Sequence, residues 1–239
     1  MRNKILIILL SLLFTAPLFG QVDRSKQPEP GAAPEIQLSD YETFELDNGL
    51  KVFVVENHKL PKVTYRLVID RDPIMEGDSA GYVSIAGSLL RTGTESKTKT
   101  EIDEAIDFIG ASLSTSSSSI YASSLKEHNQ KLLEIMSDIV LNAKFRKEQF
   151  EKLVKQNKSG LAAQKENPSA IADNVRRALT YGKDHPYGEQ MTEETLDSVT
   201  LEMCKNYYDT YFRPNIAYLA IVGDITKDEA EPLIKKYFG

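Results

Sequence analysis

The chain has 239 residues, of which 41% are apolar and 27% are charged, so it is long enough to bury a substantial core and has the composition of an ordinary soluble protein. Its net charge of -6 and the lack of a long Lys/Arg-rich tract argue against a nucleic-acid partner. Cys204 is the only cysteine, which excludes an internal disulfide and Cys-rich zinc or iron-sulfur sites.

The first residues are typical of a secretory signal peptide, predicted over residues 1–21. Arg2 and Lys4 precede the apolar run from Ile5 to Phe14, and small residues and a proline then break the pattern. An uncleaved membrane anchor is the alternative, but it needs a longer apolar run, and no later segment has about 20 consecutive apolar residues. We therefore expect an exported chain, periplasmic or extracellular, with no stable membrane span after cleavage.

A Pro-rich segment separates the predicted signal peptide from the fold. Residues 22–40 carry Pro28, Pro30 and Pro34 among polar side chains and leave little apolar surface to bury. They predict a flexible leader, and the folded domain is expected over residues 41–239.

The fold is predicted to begin with three strands. Tyr41 to Leu46 and Leu50 to Glu56 are separated by Asn48-Gly49, a pair that accepts the positive φ angles of a tight hairpin. The third strand, Val63 to Ile69, follows the break at Pro61.

Two helices and a Ser/Thr-rich stretch come next. Gly81 to Leu90 is small and apolar without strict alternation, which favours a buried helix. Thr98 and Glu101 form a capping box for a second helix that ends at Gly110. The stretch Ser112 to Ser124 is open to two interpretations, a low-complexity linker or paired strands, and its place between convincing helices favours strands.

The remainder alternates helices with one strand. Asn167-Pro168 divides two helices, because the residue before proline is disfavoured in helical geometry. The predicted helices are Glu127 to Leu141, Phe145 to Lys165, Ser169 to Tyr181, Leu196 to Tyr211 and one capped by Thr226 and Glu229, with a strand over Ala217 to Val222. This order predicts an α+β fold, a mostly antiparallel sheet with helices packed on one face.

Residue chemistry alone predicts no active site. His58, His128 and His185 are isolated from one another in turns, loops or a helix start, and no pair is spaced to hold zinc from one helix face. Ser84 and Ser88 lie one turn apart on the predicted buried helix, where packing contacts are expected, and no Gly-x-Ser-x-Gly motif is present. Cys204 is expected to be a small buried residue.

Several motifs nevertheless occur in a recognisable order. They are Leu46-Asp47-Asn48-Gly49-Leu50-Lys51-Val52, Gly81, Gly93-Thr94, Phe108-Ile109-Gly110-Ala111, Asn167-Pro168, His185-Pro186-Tyr187-Gly188, Tyr211-Phe212-Arg213-Pro214-Asn215 and Ala220-Ile221-Val222-Gly223-Asp224. This order resembles the amino-terminal half of the insulinase, pitrilysin and mitochondrial processing peptidase family of zinc metallopeptidases, over about Glu42 to Gly239. The resemblance implies the half-domain fold of that family.

The resemblance also implies that the zinc site is degenerate. The family carries HxxEH on a helix ahead of a Gly-Thr pair, with two zinc-binding histidines and a glutamate that acts as general base. Ser84 and Ser88 stand at the histidine positions, Gly87 at the glutamate and Gly160 near the third ligand, a glutamate before Asn-Pro. Hydroxyls are poor zinc ligands and glycine has no side chain, so no catalytic residue, metal ligand or cofactor is expected on this chain.

Family members pair homologous halves around a chamber for unfolded peptides. The chain is therefore expected to be a non-catalytic half or subunit of an exported zinc-metallopeptidase assembly, truncated before a second homologous domain. Its expected partners are a homologous catalytic half, which would carry the zinc, and unfolded peptides. One alternative is a free-standing peptide-binding or scaffold protein without a catalytic partner, and a more distant one is an active zinc endopeptidase with relocated ligands.

Overall fold

The computed structural model of the chain describes Gly31 and residues 40–239. The signal peptide predicted over residues 1–21 lies outside the described residues, as does the predicted leader apart from Gly31 and Asp40. In the described part of the chain, no helix is long and apolar enough to cross a membrane.

A six-stranded mixed sheet forms the centre of the fold, in the order β1-β2-β6-β3-β5-β4. Strands β2 and β6 are parallel to each other, and the other four neighbouring pairs are antiparallel. The prediction of a mostly antiparallel sheet is therefore confirmed. The strands are β1 (Glu42–Glu45), β2 (Lys51–Glu56), β3 (Lys62–Ile69), β4 (Ser112–Thr115), β5 (Ser119–Leu125) and β6 (Ala217–Gly223).

The predicted hairpin at Asn48-Gly49 is confirmed. Gly49 has a φ of 87°, in the left-handed region that glycine adopts without a steric cost. The Asn48 amide nitrogen donates to the carbonyl oxygen of Phe238 at 2.6 Å, so the turn is also tied to the end of the chain. The Ser/Thr-rich stretch forms the paired strands β4 and β5 rather than a linker.

The helices follow the predicted order. They are α1 (Tyr82–Leu89), α2 (Lys99–Phe108), α3 (Asn129–Leu141), α4 (Lys147–Gln164), α5 (Pro168–Tyr181), α6 (Glu193–Ser198), α7 (Leu201–Tyr211) and α8 (Lys227–Phe238). The capping boxes at Thr98 and Thr226 are present, and the Asn167 side chain caps α5 with Pro168 in its first turn.

The single helix predicted over Leu196 to Tyr211 is wrong, because the segment divides into α6 and α7. Val199 is extended with a ψ of 133°, and the Thr200 side chain accepts a hydrogen bond from the backbone of Met203. The threonine therefore starts a new helix. Helical periodicity continued through the break because both helices bury residues at compatible spacing, including Leu196 and Cys204.

One face of the sheet builds the core. Alternate residues of the central strands, such as Val63, Tyr65 and Leu67 of β3, are buried with the apolar faces of the helices. The residues that point the other way, among them Phe53 and Tyr218, remain half-buried. Helices therefore cover one face of the sheet, as predicted.

Candidate functional site

Helix α1 carries three of the four positions at which the family resemblance places zinc chemistry. It begins after Gly81, whose φ is 120°, and it packs against α4 and α7. The Glu76 carboxylate accepts hydrogen bonds from the backbone nitrogens of Gly81 at 2.9 Å and Val83 at 3.0 Å. These contacts satisfy backbone donors that a helix start leaves unpaired.

Ser84 and Ser88 are exposed on α1, so the expectation that they pack in a buried position is wrong. The helix buries the opposite side, including Val83, Ile85 and Leu89. The Ser88 hydroxyl donates to the carbonyl oxygen of Ser84 at 3.1 Å, the local bond that serine commonly makes within a helix.

Gly87 is buried beneath the turn that joins β4 to β5. A Cβ atom on Gly87 would lie 2.2 Å from the backbone nitrogen of Ser117 and 2.4 Å from the carbonyl carbon of Ser116. The backbone of the turn therefore fills the space that a side chain at this position would need. The position that the resemblance assigns to the general base is closed by packing as well as changed in residue type.

A tyrosine of α7 holds the turn over Gly87 in place. The Tyr207 hydroxyl donates to the carbonyl oxygen of Ser117 at 2.5 Å and accepts a hydrogen bond from Arg71 Nε at 2.8 Å. The Arg71 guanidinium also lies over the Tyr207 ring, 5.3 Å from its centroid. Burial raises the pKa of Tyr207, so this hydroxyl stays protonated and able to donate.

Gly160, the fourth position, is exposed in the interior of α4 and has no atom within 4 Å of an added Cβ. It lines a cavity of about 500 Å³ together with Gly81 at the start of α1. Ser88 instead lines a separate cavity of about 530 Å³ with Leu153, Ser114 and Thr115. The structure thus places the four positions on two packed helices, and Gly160 and Ser88 line different cavities, whereas Gly87 is closed by the turn.

These residues do not fit a zinc ion. The two serines offer only hydroxyl groups, and the Ser88 hydroxyl is hydrogen-bonded to backbone. Gly87 and Gly160 offer no side-chain donor. Across Gly31 and residues 40–239, no group of three or more His, Cys, Asp or Glu side chains is placed to hold a metal ion, so a relocated zinc site gains no support.

The three histidines lie apart from α1. His58 Nδ1 is 2.6 Å from Asp224 Oδ1, and this hydrogen bond raises the pKa of His58 above its ordinary value. His128 precedes α3, and His185 stacks on Tyr181 with 5.5 Å between the ring centroids. His128 Nε2 lies 3.7 Å from the neighbouring Glu127 Oε1.

Cys204 is fully buried in α7, as the sequence predicts. Its sulfur lies 3.6 Å from the carbonyl oxygen of Tyr82, and burial raises the pKa of the thiol to about 12. A thiol in this state is a poor nucleophile, because the thiolate is the reactive form.

Two carboxylates that the sequence does not predict as functional fix the loop before α1. Glu189 accepts hydrogen bonds from the backbone nitrogens of Glu76 at 2.9 Å and Gly77 at 2.6 Å. Burial raises the pKa of Glu76. No sequence signal connects Glu76 with Glu189, since they are more than 100 residues apart and belong to no shared spacing pattern.

The Gly93-Thr94 pair after α1 also has a structural role. Thr94 Oγ1 donates to Asp138 Oδ2 at 2.8 Å, and Lys97 Nζ lies 3.2 Å from the same oxygen. Arg146 donates to the carbonyl oxygen of Thr94 at 2.9 Å and crosses close to Gly93. This network joins the end of α1 to α3 and to the start of α4.

Most of this chain matches two models of known protein families. Residues 51–193, more than half of the chain, match the family model described as Insulinase (Peptidase family M16). The chain belongs to the insulinase family. Residues 198–239 match a second model, described as Peptidase M16 inactive domain.

Curated relatives of this insulinase-family chain include zinc proteases. An uncharacterized zinc protease from Bacillus subtilis, YmxG, is 27% identical over 203 residues, 82% of this chain and 49% of that protein. A probable mitochondrial-processing peptidase subunit beta from Arabidopsis thaliana is 24% identical over 87% of this chain and 39% of that protein. The chain spans about half the length of YmxG and less than half of the Arabidopsis thaliana protein.

Solved structures share the fold. A peptidase M16 inactive domain from Pseudomonas fluorescens aligns with a TM-score of 0.74 and 21% identity, covering 83% of this chain and 50% of that one. A protease from Helicobacter pylori also gives 0.74, at 20% identity, over 84% and 50% of the two chains. The periplasmic protease PqqL from Escherichia coli gives 0.68 at 21% identity, with 86% of this chain covering 24% of PqqL.

Proposed function

We propose that this chain is a non-catalytic half or subunit of an exported insulinase-type zinc metallopeptidase assembly, in which it helps to enclose and bind peptides. The observation that carries the proposal is the closure of Gly87 by the Ser116–Ser117 backbone, with 2.2 Å between an added Cβ and the Ser117 nitrogen. A general base at this position would require the turn to move, and hydroxyl groups replace imidazoles at Ser84 and Ser88. Zinc, in this proposal, belongs to a catalytic partner.

The face of the sheet that none of the described helices covers supports a role in lining a chamber. Phe53 contacts Tyr41 and Tyr218 on this face, with ring centroids about 6 Å apart, and Val222 is 41% exposed. Aromatic and aliphatic groups on an accessible sheet can contact extended peptide without demanding one sequence. This is the kind of surface expected for a wall that contacts unfolded substrates.

Helix α5 offers a surface for the homologous half. Ile171, Val175 and Leu179 lie four residues apart on one side of the helix, and they are 47%, 51% and 81% exposed. Curated relatives are about twice as long as the matched region, so a second half is the occupant that we assign to this apolar side. The half can be supplied by the same polypeptide or by a separate subunit.

Metal content tests the non-catalytic assignment. The full chain, saturated with zinc chloride and then dialysed, is expected to retain far less than one zinc ion per chain, measured by inductively coupled plasma mass spectrometry. A control variant, Ser84→His/Ser88→His/Gly160→Glu, supplies three ligands, two imidazoles and one carboxylate, where an exposed face or open space can accept them. Stoichiometric zinc in the unsubstituted chain, lost when His58, His128 or His185 is replaced, would contradict the proposal.

The partner surface has its own test. Leu179→Lys places a charge on the exposed side of α5 and is expected to weaken association with a catalytic half, measured by analytical ultracentrifugation. Leu60→Lys is the matched control, since Leu60 is a similarly exposed leucine, 68% exposed, in the turn before β3. Equal association of both variants would rule out α5 as the docking side.

A free-standing peptide-binding protein is the second candidate function. Strand β4 ends the sheet order, and an added peptide strand would pair along its outer edge, where it would have to displace the hydrogen bond from Arg91 to the Leu113 carbonyl oxygen, 2.7 Å long. Peptide binding by the purified chain alone, with no intact HxxEH segment encoded downstream of Gly239 or in a neighbouring reading frame, would favour this function. A downstream HxxEH segment whose product pairs with this chain would favour the first.

A further inference from the structure

The ring of His58 has a carboxylate beside each of its two nitrogens. Its Nδ1 lies 2.6 Å from Asp224 Oδ1, and its Nε2 lies 3.5 Å from Glu56 Oε2. Glu56 ends β2 and Asp224 follows β6, and these two strands run parallel with Glu56 opposite Gly223. The parallel pairing therefore brings both carboxylates to the edge of the sheet where the turn after β2 carries His58.

The Asp224 carboxylate determines which nitrogen of His58 is free to bind a ligand. A carboxylate is an acceptor, so Nδ1 of the neutral imidazole carries the hydrogen and donates it, and Nε2 keeps its lone pair on the side of Glu56. Carboxylates placed in this way orient metal-binding histidines and make them more basic. Glu56 is oriented as well, because its Oε1 accepts a hydrogen bond from the backbone nitrogen of Lys227 at 3.3 Å.

The distance between His58 Nε2 and Glu56 Oε2 suits a shared metal ion. Nitrogen and oxygen ligands lie about 2.0–2.2 Å from a divalent first-row ion, so two ligands of one ion are about 3.0–3.5 Å apart. The two atoms are 3.5 Å apart, and the side chains of His58 and Glu56 are 54% and 37% exposed. Water can therefore complete the coordination, while Asp224 stays behind the imidazole.

The charges at this edge of the sheet also favour a cation. Lys126 Nζ lies 3.5 Å from Asp224 Oδ1 and 3.4 Å from Glu229 Oε1, so one ammonium group faces two carboxylates. Glu56 adds a third carboxylate beside His58. Negative charges therefore outnumber positive ones around the neutral imidazole, and a divalent cation would reduce that excess.

We propose that His58 Nε2 and Glu56 Oε2 bind a divalent transition-metal ion, with Asp224 as the positioning residue behind the imidazole. Mixed nitrogen and oxygen ligands favour nickel or copper, whereas magnesium prefers oxygen ligands alone. Two protein ligands hold an ion weakly, so this ion is expected to exchange with solution and to leave on dialysis. The site is therefore separate from a retained catalytic zinc, and the inference does not depend on the proposed peptide binding.

Titration of the full chain with nickel chloride tests the proposal. Isothermal titration calorimetry is carried out at about pH 8, because the neutral imidazole is the form that binds metal. His58→Gln is expected to abolish binding, and Asp224→Asn to weaken it roughly 10–100-fold, the usual effect of losing a carboxylate behind a metal-binding imidazole. Paramagnetic nickel should also broaden the NMR signals of the His58 ring protons, an effect that a purely structural role would not produce.

His128→Gln is the matched control, because Glu127 Oε1 lies 3.7 Å from His128 Nε2 but no carboxylate of the described residues lies beside the other nitrogen. It should leave the nickel affinity unchanged, and magnesium chloride should not compete. The inference is overturned if the unsubstituted chain binds no nickel, or if His128→Gln weakens binding as much as His58→Gln. Unchanged affinity in Asp224→Asn would overturn the positioning role. None of these results bears on the proposed function, which uses neither His58 nor Glu56.

Discussion

Two glycines inside helices allow a test of the packing at the degenerate site. Gly87 lies in α1 and Gly160 in α4, and neither has a positive φ. Helix propensity alone predicts that alanine stabilises both positions, by about 0.5–1 kcal/mol each. The structure separates them, because the Cβ of an alanine enters open space at Gly160 but meets the backbone of Ser117 at Gly87.

The clash at Gly87 is expected to make the alanine substitution destabilising rather than stabilising. The turn cannot yield freely, because Tyr207 holds the Ser117 carbonyl oxygen at 2.5 Å and is itself held by Arg71. Overpacking of this kind costs about 1–3 kcal/mol, which exceeds the propensity gain of about 0.5–1 kcal/mol. Gly87→Ala should therefore lower the free energy of unfolding by about 1–2 kcal/mol, whereas Gly160→Ala should raise it.

Urea denaturation followed by circular dichroism measures both variants. With a slope of about 1–3 kcal/mol per molar urea, the midpoint should fall by roughly 0.5–1 M for Gly87→Ala and rise by a few tenths for Gly160→Ala. Tyr207→Phe frees the turn, so adding it to Gly87→Ala should cost less than the sum of the single changes. A midpoint for Gly87→Ala that rises as much as that of Gly160→Ala would refute the proposed closure.

Three further predictions concern single contacts. The pKa of His58, followed by NMR, should lie above 6.5 and move toward that value in Asp224→Asn. Any stability that the His58–Asp224 pair adds should be present at low pH and should be lost as the pH rises past the raised pKa of His58. A pKa unchanged by that substitution would contradict the hydrogen bond. Cys204 should resist a thiol reagent at pH 8 until urea unfolds the chain, since burial raises its pKa to about 12, and rapid native labelling would contradict this. Thr98→Ala should cost about 1 kcal/mol of unfolding free energy by removing the cap of α2, whereas Thr98→Ser should cost much less.

Local chemistry made much of the fold predictable. The Asn48-Gly49 turn, the capping boxes at Thr98 and Thr226, and the Asn167-Pro168 boundary each depend on neighbours within a few residues. The alternating Ser/Thr-rich strands were harder, and the break at Val199-Thr200 was missed because periodicity continued across it. A threonine cap without a following glutamate is too common to mark a boundary alone.

The sequence by itself determined that no imidazole stands at residues 84 and 88 and no carboxylate at residues 87 and 160, because side-chain identity needs no coordinates. Only the tertiary structure decided how those positions differ: Gly87 is sealed by a turn, Ser84 and Ser88 face outward, and Gly160 opens a cavity. Contacts such as Glu76 with Glu189 also belong to the folded chain alone. The reason is physical: each depends on backbone segments far apart in sequence, whose approach is set by the packing of the whole sheet and its helices.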